Sequence, residues 1–319
     1  MFEFGAGSLQ KIRLLLSALQ RPARFVPIDI SAEHLHAESQ RLADEHPGLV
    51  VLPLAGDFSA DLALPPPAPG SARRVGFFPG SSIGNFAPAD ALLFLRRCAN
   101  WLAGGGLLVG VDLVKHPALL HAAYNDSQGV TAAFNLNLLA RANRELGANF
   151  NLSAFHHHAF YEPKQQRIEM HLVSGRDQCA QINGERFEFA DGQTLHTENS
   201  YKYTVTGFQA LARAAGLLPQ AVWTDAQRLF SVHWLVAPGG LTQWKQSRRR
   251  QSPTIGDHDD SEQSAPPSAG AVRLVVHWRG HGADQRHARR GGGIGRSRPS
   301  QRAQTGCCQP GACGGLGAR

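Results

Sequence analysis

The sequence is poor in the features that extracellular and membrane-bound proteins need. Its 319 residues include only five cysteines, an odd number. Cys98 and Cys179 stand far from each other and from Cys307, Cys308 and Cys313, which suits a reducing compartment better than a disulfide framework. No window approaches the ~18–20 uninterrupted apolar residues of a membrane span, and the N-terminus has no basic region leading into an apolar stretch. These absences argue against a secreted or membrane-embedded product, and a cytoplasmic monomer with no membrane partner is expected. Most of the chain also lacks an excess of either charge. Residues 241–319 carry 13 Lys or Arg against 5 Asp or Glu, leaving 19 against 20 in residues 1–240. The net charge of +7 therefore belongs to the last quarter, and it does not make the whole chain a nucleic-acid binder.

What is present is enough for a core: 42% of residues are hydrophobic and 18% charged, the balance of a folded soluble domain. Apolar runs at 25–30, 51–54, 75–78 and 107–114 read as buried strands. Helical spacing at 11–19, 31–45 and 89–102 falls between them. Strand–helix alternation with short connections predicts an α/β fold with a parallel sheet covered on both faces. Residues 115–203 break the rhythm. A long helical stretch, 119–146, is followed by period-2 segments at 159–161, 167–174 and 185–189, with turns at Asn183-Gly184 and Asp191-Gly192. Helix and strand resume at 205–215 and 229–236. The predicted organisation is thus a sheet domain in two parts, 1–114 and 204–240, interrupted by an insertion at 115–203.

Residues 241–319 do not read as a packed domain. Arg248-Arg249-Arg250 and Gly291-Gly292-Gly293 lie among scattered Ser, Pro and Gln, which predicts disorder or out-of-frame translation. Any nucleic-acid contact there is expected to be weak and electrostatic. Cys307, Cys308 and Cys313 lack a fourth partner at metal-site spacing, so no metal is expected. The consecutive His156, His157 and His158 cannot share one strand face and read as surface or packing residues. His196 and His233 are single histidines in strand-like contexts.

The front of the chain has the makings of a nucleotide-type site. Glu3 precedes a Gly5-x-Gly7 turn and a helix, where a ligand can approach backbone N–H groups. Asp29 ends the next strand, where such folds place a carboxylate against ribose hydroxyls. Asp57 and Phe58 follow the third strand, as expected for a pair flanking an adenine ring. Both a dinucleotide and S-adenosylmethionine fit this series. The third glycine of the dinucleotide fingerprint would fall at Gln10, which favours S-adenosylmethionine, since it has no pyrophosphate. Asp112, late in its strand, either shapes the cleft or caps the connection.

Longer motifs add to this. They begin with Glu3-Phe4-Gly5-Ala6-Gly7-Ser8, Val26-Pro27-Ile28-Asp29 and Gly56-Asp57-Phe58, then Gly80-Ser81-Ser82-Ile83-Gly84-Asn85-Phe86 and Gly110-Val111-Asp112-Leu113-Val114-Lys115. They continue through Ala123-Tyr124-Asn125-Asp126 and Arg167-Ile168-Glu169-Met170-His171-Leu172 to His196-Thr197-Glu198-Asn199-Ser200-Tyr201-Lys202-Tyr203. Through these motifs residues 1–237 resemble the S-adenosylmethionine-dependent histidine Nα-methyltransferases of ergothioneine biosynthesis, which convert L-histidine to its trimethyl betaine, hercynine. The resemblance implies a class I methyltransferase (Rossmann-like) fold with an inserted α+β substrate-binding domain. It also implies cofactor contacts at Gly5, Gly7, Lys11, Asp29, Asp57 and Phe58. Asn85 and Tyr124 match residues that hold the histidine α-carboxylate and position its amine. Met170, Glu198 and Ser200 match the side-chain end of the pocket, with Glu198 and Ser200 partnering the imidazole nitrogens. The family pattern has a further segment before the glycine motif and ends soon after the stretch matching Phe230. A shifted start and a frame change near residue 240 are therefore expected, with a truncated, inactive relative as the alternative.

Overall fold

A computed structural model describes residues 1–20, 22–66 and 73–239; the features expected of the tail at 241–319 lie outside the described residues. One sheet organises the first and last parts of the chain. Its strands are β1 (Phe2–Phe4), β2 (Arg24–Asp29), β3 (Val50–Val51), β4 (Leu54–Ala55), β5 (Val75–Phe78) and β6 (Gly106–Asp112). The final pair, β12 (Leu218–Thr224) and β13 (Phe230–Val236), completes it. The order is β12-β13-β6-β5-β1-β2-β3, with β4 also on β2. β1, β2, β3, β4, β5 and β6 pair in parallel, and β13 runs antiparallel between β6 and β12. This is the expected class I methyltransferase-type sheet, with one reversed strand near its edge.

Helices cover both faces, which is why the central strands read as continuous apolar runs. Leu9, Ile12, Leu16, Leu35 and Leu42 of α1 (Gln10–Leu16), its lead-in and α2 (Ala32–Glu45) pack with Phe25 and Phe77. Phe94, Leu95, Phe208 and Ala212 of α3 (Pro88–Trp101) and α6 (Val205–Ala214) pack with Phe4, Ile28, Phe78 and Val109 on the other side. The run at 51–54 is two short strands rather than one. Pro53 has no N–H to give to the ladder, so pairing with β2 is made at Phe25↔Val51 and again at Ile28↔Leu54.

Between β6 and α6 lies a second layer system. Its helices are α4 (Pro117–Tyr124) and α5 (Val130–Glu145), and its strands are β7 (Phe155–Glu162), β8 (Arg167–Ser174), β9 (Gln178–Ile182), β10 (Glu185–Phe189) and β11 (Thr194–Tyr201). β7, β8 and β11 form an antiparallel sheet with β8 central, and β9 and β10 form a hairpin. That hairpin turns on Asn183 (φ 50°) and Gly184 (φ 83°), as the Asn-Gly pair predicts. The chain enters and leaves the insertion side by side: Val114 N–H donates to Tyr203 O at 3.0 Å, and Tyr203 N–H to Asp112 O at 3.1 Å.

The single helical stretch expected at 119–146 is instead two helices. Gly129 adopts the left-handed conformation (φ 69°) at the start of α5. The Asp126 carboxylate accepts from the N–H groups of Val130 and Thr131 at 2.9 and 2.8 Å, capping the second helix and competing with a continuous one. The Asn125 amide clamps β7 by bonding Ala159 N–H and O at 3.0 and 2.8 Å. β9, β11 and β12 have no range in the sequence-based expectation, and of these β11 alone carries a hint, His196 in a strand-like context. β12 is an edge strand with Pro219 inside it and mostly exposed side chains, so neither composition nor period marks it.

Candidate active site

The parallel strands end on a shared edge, and their following turns gather the first group of residues. β1 leads into a turn in which Gly5 (φ 68°) and Gly7 (φ 53°) are both left-handed, a conformation that favours glycine. A Cβ on Gly5 would come to 3.4 Å from Phe58 Cε1, so Phe58 and the turn are in near contact. Gly7 N–H and Ser31 N–H donate to the two carboxylate oxygens of Asp29 at 3.2 and 3.0 Å, which locks the end of β2 to the glycine turn. Asp57 accepts from Ser59 N–H at 2.8 Å and Ser59 Oγ at 2.6 Å. Phe58 packs against Phe4, Phe78, Phe86 and Phe94, so its ring is also part of the sheet's core. Lys11 crosses to the end of β5, where its Nζ would lie 2.6 Å from a Cβ on Gly80.

Glu3 is the unusual member. It is 1% exposed, and its Oε2 has no hydrogen-bond partner among the described residues. Burial raises its carboxyl to about 8; nearby Lys11 opposes the rise and Asp29 adds to it. A buried carboxyl with an unmatched oxygen, next to a turn that lacks Cβ atoms at Gly5 and Gly7, fits a ligand bearing amines and hydroxyls. S-adenosylmethionine has both.

The insertion supplies a second group, joined to the first at the ends of β5 and β6. Ser81 Oγ accepts from Asp112 N–H at 2.8 Å. The following turn, 82–85, presses on β11: a Cβ on Gly84 would sit 2.6 Å from Tyr201 O. The glycine in the Ser-Ile-Gly-Asn motif is therefore required by packing, and it leaves Asn85 exposed at the end of this turn. Tyr124, at the end of α4, donates to Ser200 Oγ on β11 at 2.8 Å. Lys202 reaches both of these oxygens at 2.8 Å and pairs with Asp112 at 2.9 Å. Asp112 is also bound by Lys115 at 2.5 Å.

Glu198 and Met170 face each other across the β11–β8 ladder. Met170 is buried among Leu120, Ala159 and Ile168, with Tyr124 alongside. Burial pushes the Glu198 carboxyl up to about 7, and Lys202 pulls the other way. The structure thus brings Tyr124, Met170, Glu198 and Ser200 to one face of the inserted sheet. Gly5, Gly7, Asp29 and Phe58 meet at the strand-end turns.

Sequence reasoning assigned no role to Lys202 and left Asp112 open. Both fall inside matched motifs, but a lysine between two tyrosines reads as a solvent-facing strand residue. His157 is turned inward, bonding Tyr124 O at 2.8 Å and Asn135 Nδ2 at 2.9 Å, whereas His156 and His158 point the other way along the strand. On that other face Glu169, His171 and His196 approach one another within 4.8 Å. There Arg167 Nε donates to Glu169 at 2.8 Å, and Asn199 Oδ1 lies 2.9 Å from His196 Nε2.

Comparison with known proteins gives this geometry a lineage. The histidine N-alpha-methyltransferase of Mycolicibacterium smegmatis is 39% identical over 231 residues, spanning 70% of this chain and 71% of that protein. The histidine N-alpha-methyltransferase of Mycobacterium tuberculosis is 38% identical over the same length and shares. Among solved structures, the CcbJ methyltransferase from Streptomyces caelestis aligns with a TM-score of 0.42 at 16% identity, covering 75% of this chain and 83% of that one. The family model for SAM-dependent, histidine-specific methyltransferases matches residues 1–237, and the chain belongs to that family.

Proposed function

We propose that this chain transfers methyl groups from S-adenosylmethionine to the α-amine of L-histidine, giving Nα,Nα,Nα-trimethylhistidine (hercynine) in ergothioneine biosynthesis, and that its two residue clusters divide the work. The observation that carries this division is the convergence of Tyr124, Ser200 and the acceptor Glu198 beside the ends of β5 and β6. Gly5, Gly7, Lys11, Asp29, Asp57 and Phe58 hold the cofactor, and residues 115–203 form the substrate-binding region. Bound S-adenosylmethionine supplies an electrophilic sulfonium methyl. The protein's part is alignment and exclusion of water, without a covalent intermediate. Asn85 and Tyr124 orient the carboxylate and amine of the substrate without setting a strong base beside the methyl. Met170 gives the imidazole an apolar wall, while Glu198 and Ser200 give its nitrogens directional partners. Leaving the Glu198 or Ser200 group unpaired in such a pocket costs about 1–3 kcal/mol, which disfavours amino acids lacking the ring. A cytoplasmic setting agrees with Cys98 being a buried thiol in the core.

The test is methyl transfer from labelled S-adenosylmethionine to a panel of free amino acids, with products resolved by mass spectrometry. Histidine carrying up to three added methyls on its α-nitrogen is expected. Preferential methylation of another amino acid, or of a ring nitrogen, would remove the substrate assignment.

A further inference from the structure

We propose that Lys202 sets the hydrogen-bond polarity of the amino-acid pocket, leaving Ser200 a donor and Tyr124 an acceptor toward the substrate. It is a positioning residue, and the proposal rests on the reading above of Glu198 and Ser200 as the imidazole's partners. Lys202 is 2% exposed. An ammonium has three protons and no acceptor, and three oxygens surround this one: Asp112 Oδ2 at 2.9 Å, Tyr124 Oη at 2.8 Å and Ser200 Oγ at 2.8 Å. Asp112 balances the charge, which a buried lysine requires.

The remaining protons have little choice. Tyr124 Oη and Ser200 Oγ lie 2.8 Å apart and share one more hydrogen bond. A phenol is the stronger acid of the two, so Tyr124 donates and Ser200 accepts. Ser200 then accepts twice, from Lys202 and from Tyr124, and both of its lone pairs are engaged. Its own proton has no place inside the triangle and turns toward the pocket. Tyr124 has spent its proton and offers an oxygen acceptor to an amine N–H.

A neutral imidazole carries one N–H and one ring lone pair. The Glu198 carboxylate, favoured over its protonated form by Lys202 and by that N–H, takes the first and Ser200 satisfies the second. An imidazolium would bring a second N–H against the Ser200 proton, and a ring without nitrogen would leave that proton unpaired. Lys202 thereby selects the neutral ring without touching it.

The experiment uses the full chain with S-adenosylhomocysteine present. Nitrogen NMR of bound, ring-labelled L-histidine should show one protonated and one unprotonated nitrogen. A doubly protonated ring would overturn the proposal, whatever any variant does. Lys202→Met should weaken histidine binding about tenfold to a hundredfold, while thienylalanine, which has the same ring shape without nitrogens, changes by less than about twofold. S-adenosylhomocysteine affinity should stay unchanged. Equal losses for both amino acids would mean a merely structural lysine and would sink the idea. Adding Ser200→Ala to Lys202→Met should cost little beyond the larger single effect, because both act through one hydroxyl. Should Lys202→Met not fold, Ser200→Ala alone must lower the preference for histidine over thienylalanine about tenfold or more, with the part owed to Glu198 remaining, and the ring protonation state still decides. An unsubstituted chain that binds S-adenosylhomocysteine but shows no preference for histidine would remove the functional reading and this proposal together. Preference retained in Lys202→Met would remove the proposal alone.

Discussion

In the parallel strands β1, β2, β5 and β6, polar side chains sit at or next to the strand ends; in the inserted sheet they occupy both faces. β1, β2, β5 and β6 are walled by helices on each side, so a functional group can only appear where a strand stops, as Asp29 does, or in the turn that follows, as Asp57 does. β8 of the insertion instead sends Ile168, Met170 and Leu172 toward α4 and α5, and Arg167, Glu169 and His171 to the far side. Every second residue of β8 and β11 faces α4, so alternating side chains can line a space between that helix and the sheet. Under the proposed division, the first region offers backbone turns and carboxylates to a nucleoside-like ligand, and the second offers alternating side chains to an amino acid.

That division predicts separable losses. Glu198→Ala should weaken histidine binding about tenfold to a hundredfold while leaving S-adenosylhomocysteine affinity within about twofold, as expected for a hydrogen bond worth ~1.5–3 kcal/mol. Asp57→Ala should do the reverse. Titration calorimetry with each ligand reads both, and a Glu198 variant that loses cofactor and keeps histidine would break the comparison.

Each region also holds an acid that desolvation raises, Glu3 to about 8 and Glu198 to about 7, and Glu3 gives a stability test. An unfolded glutamate loses its proton near 4.5, whereas folded Glu3 holds its proton to about 8. Stability should therefore fall as pH rises from about 4.5 to about 8, because the unfolded chain gives up the proton first. Glu3→Gln should flatten that decline and gain on the order of a few kcal/mol at pH 8, with little difference at pH 4. Denaturant melts at the two pH values check it; equal shifts at both would show that burial is not the cause.

The junction between the regions can be sharpened with Gly84→Ala. The added methyl meets Tyr201 O at 2.6 Å, and separating the 82–85 turn from β11 should cost about 1–3 kcal/mol of stability. Histidine affinity should drop as well, since Ser200 is carried on the same strand. An unchanged melting curve would mean that the two regions are not tightly packed there. The smallest effect is expected at Gly184→Ala, remote from both ligands. Its positive φ of 83° should cost about 1 kcal/mol, with histidine and cofactor binding unaffected.

Much of the parallel sheet was legible. Phe25, Val26, Ile28, Phe77 and Phe78 declare buried strands by composition alone, and the glycine turn after β1 declares itself by position. The insertion was legible only in its turns and motifs. The break at Asn125–Gly129 was hidden because Asp126 and Asn125 act through side-chain bonds to backbone, and helical periodicity ignores these. β12 was hidden because an edge strand buries too little to leave a pattern. Lys202 was hidden because its three oxygen partners come from positions 112, 124 and 200.

One local irregularity divides what residue order establishes from what folding adds. By alternation alone His196, Glu198 and Ser200 would share a face of β11. The ladder slips between His196 and Glu198, so His196 pairs with His171 while Glu198 pairs with Met170 and Ser200 with Ile168. That extra residue turns Glu198 and Ser200 inward and leaves His196 outside, next to Glu169. Residue order established which chemical groups this protein has, and which strands must be buried, because burial is a matter of composition and local period. Which of those groups meet was decided by the β11 bulge, the broken α4–α5 helix and the close approach at Gly84. Each of these depends on contacts between segments far apart in the chain, which no local pattern encodes.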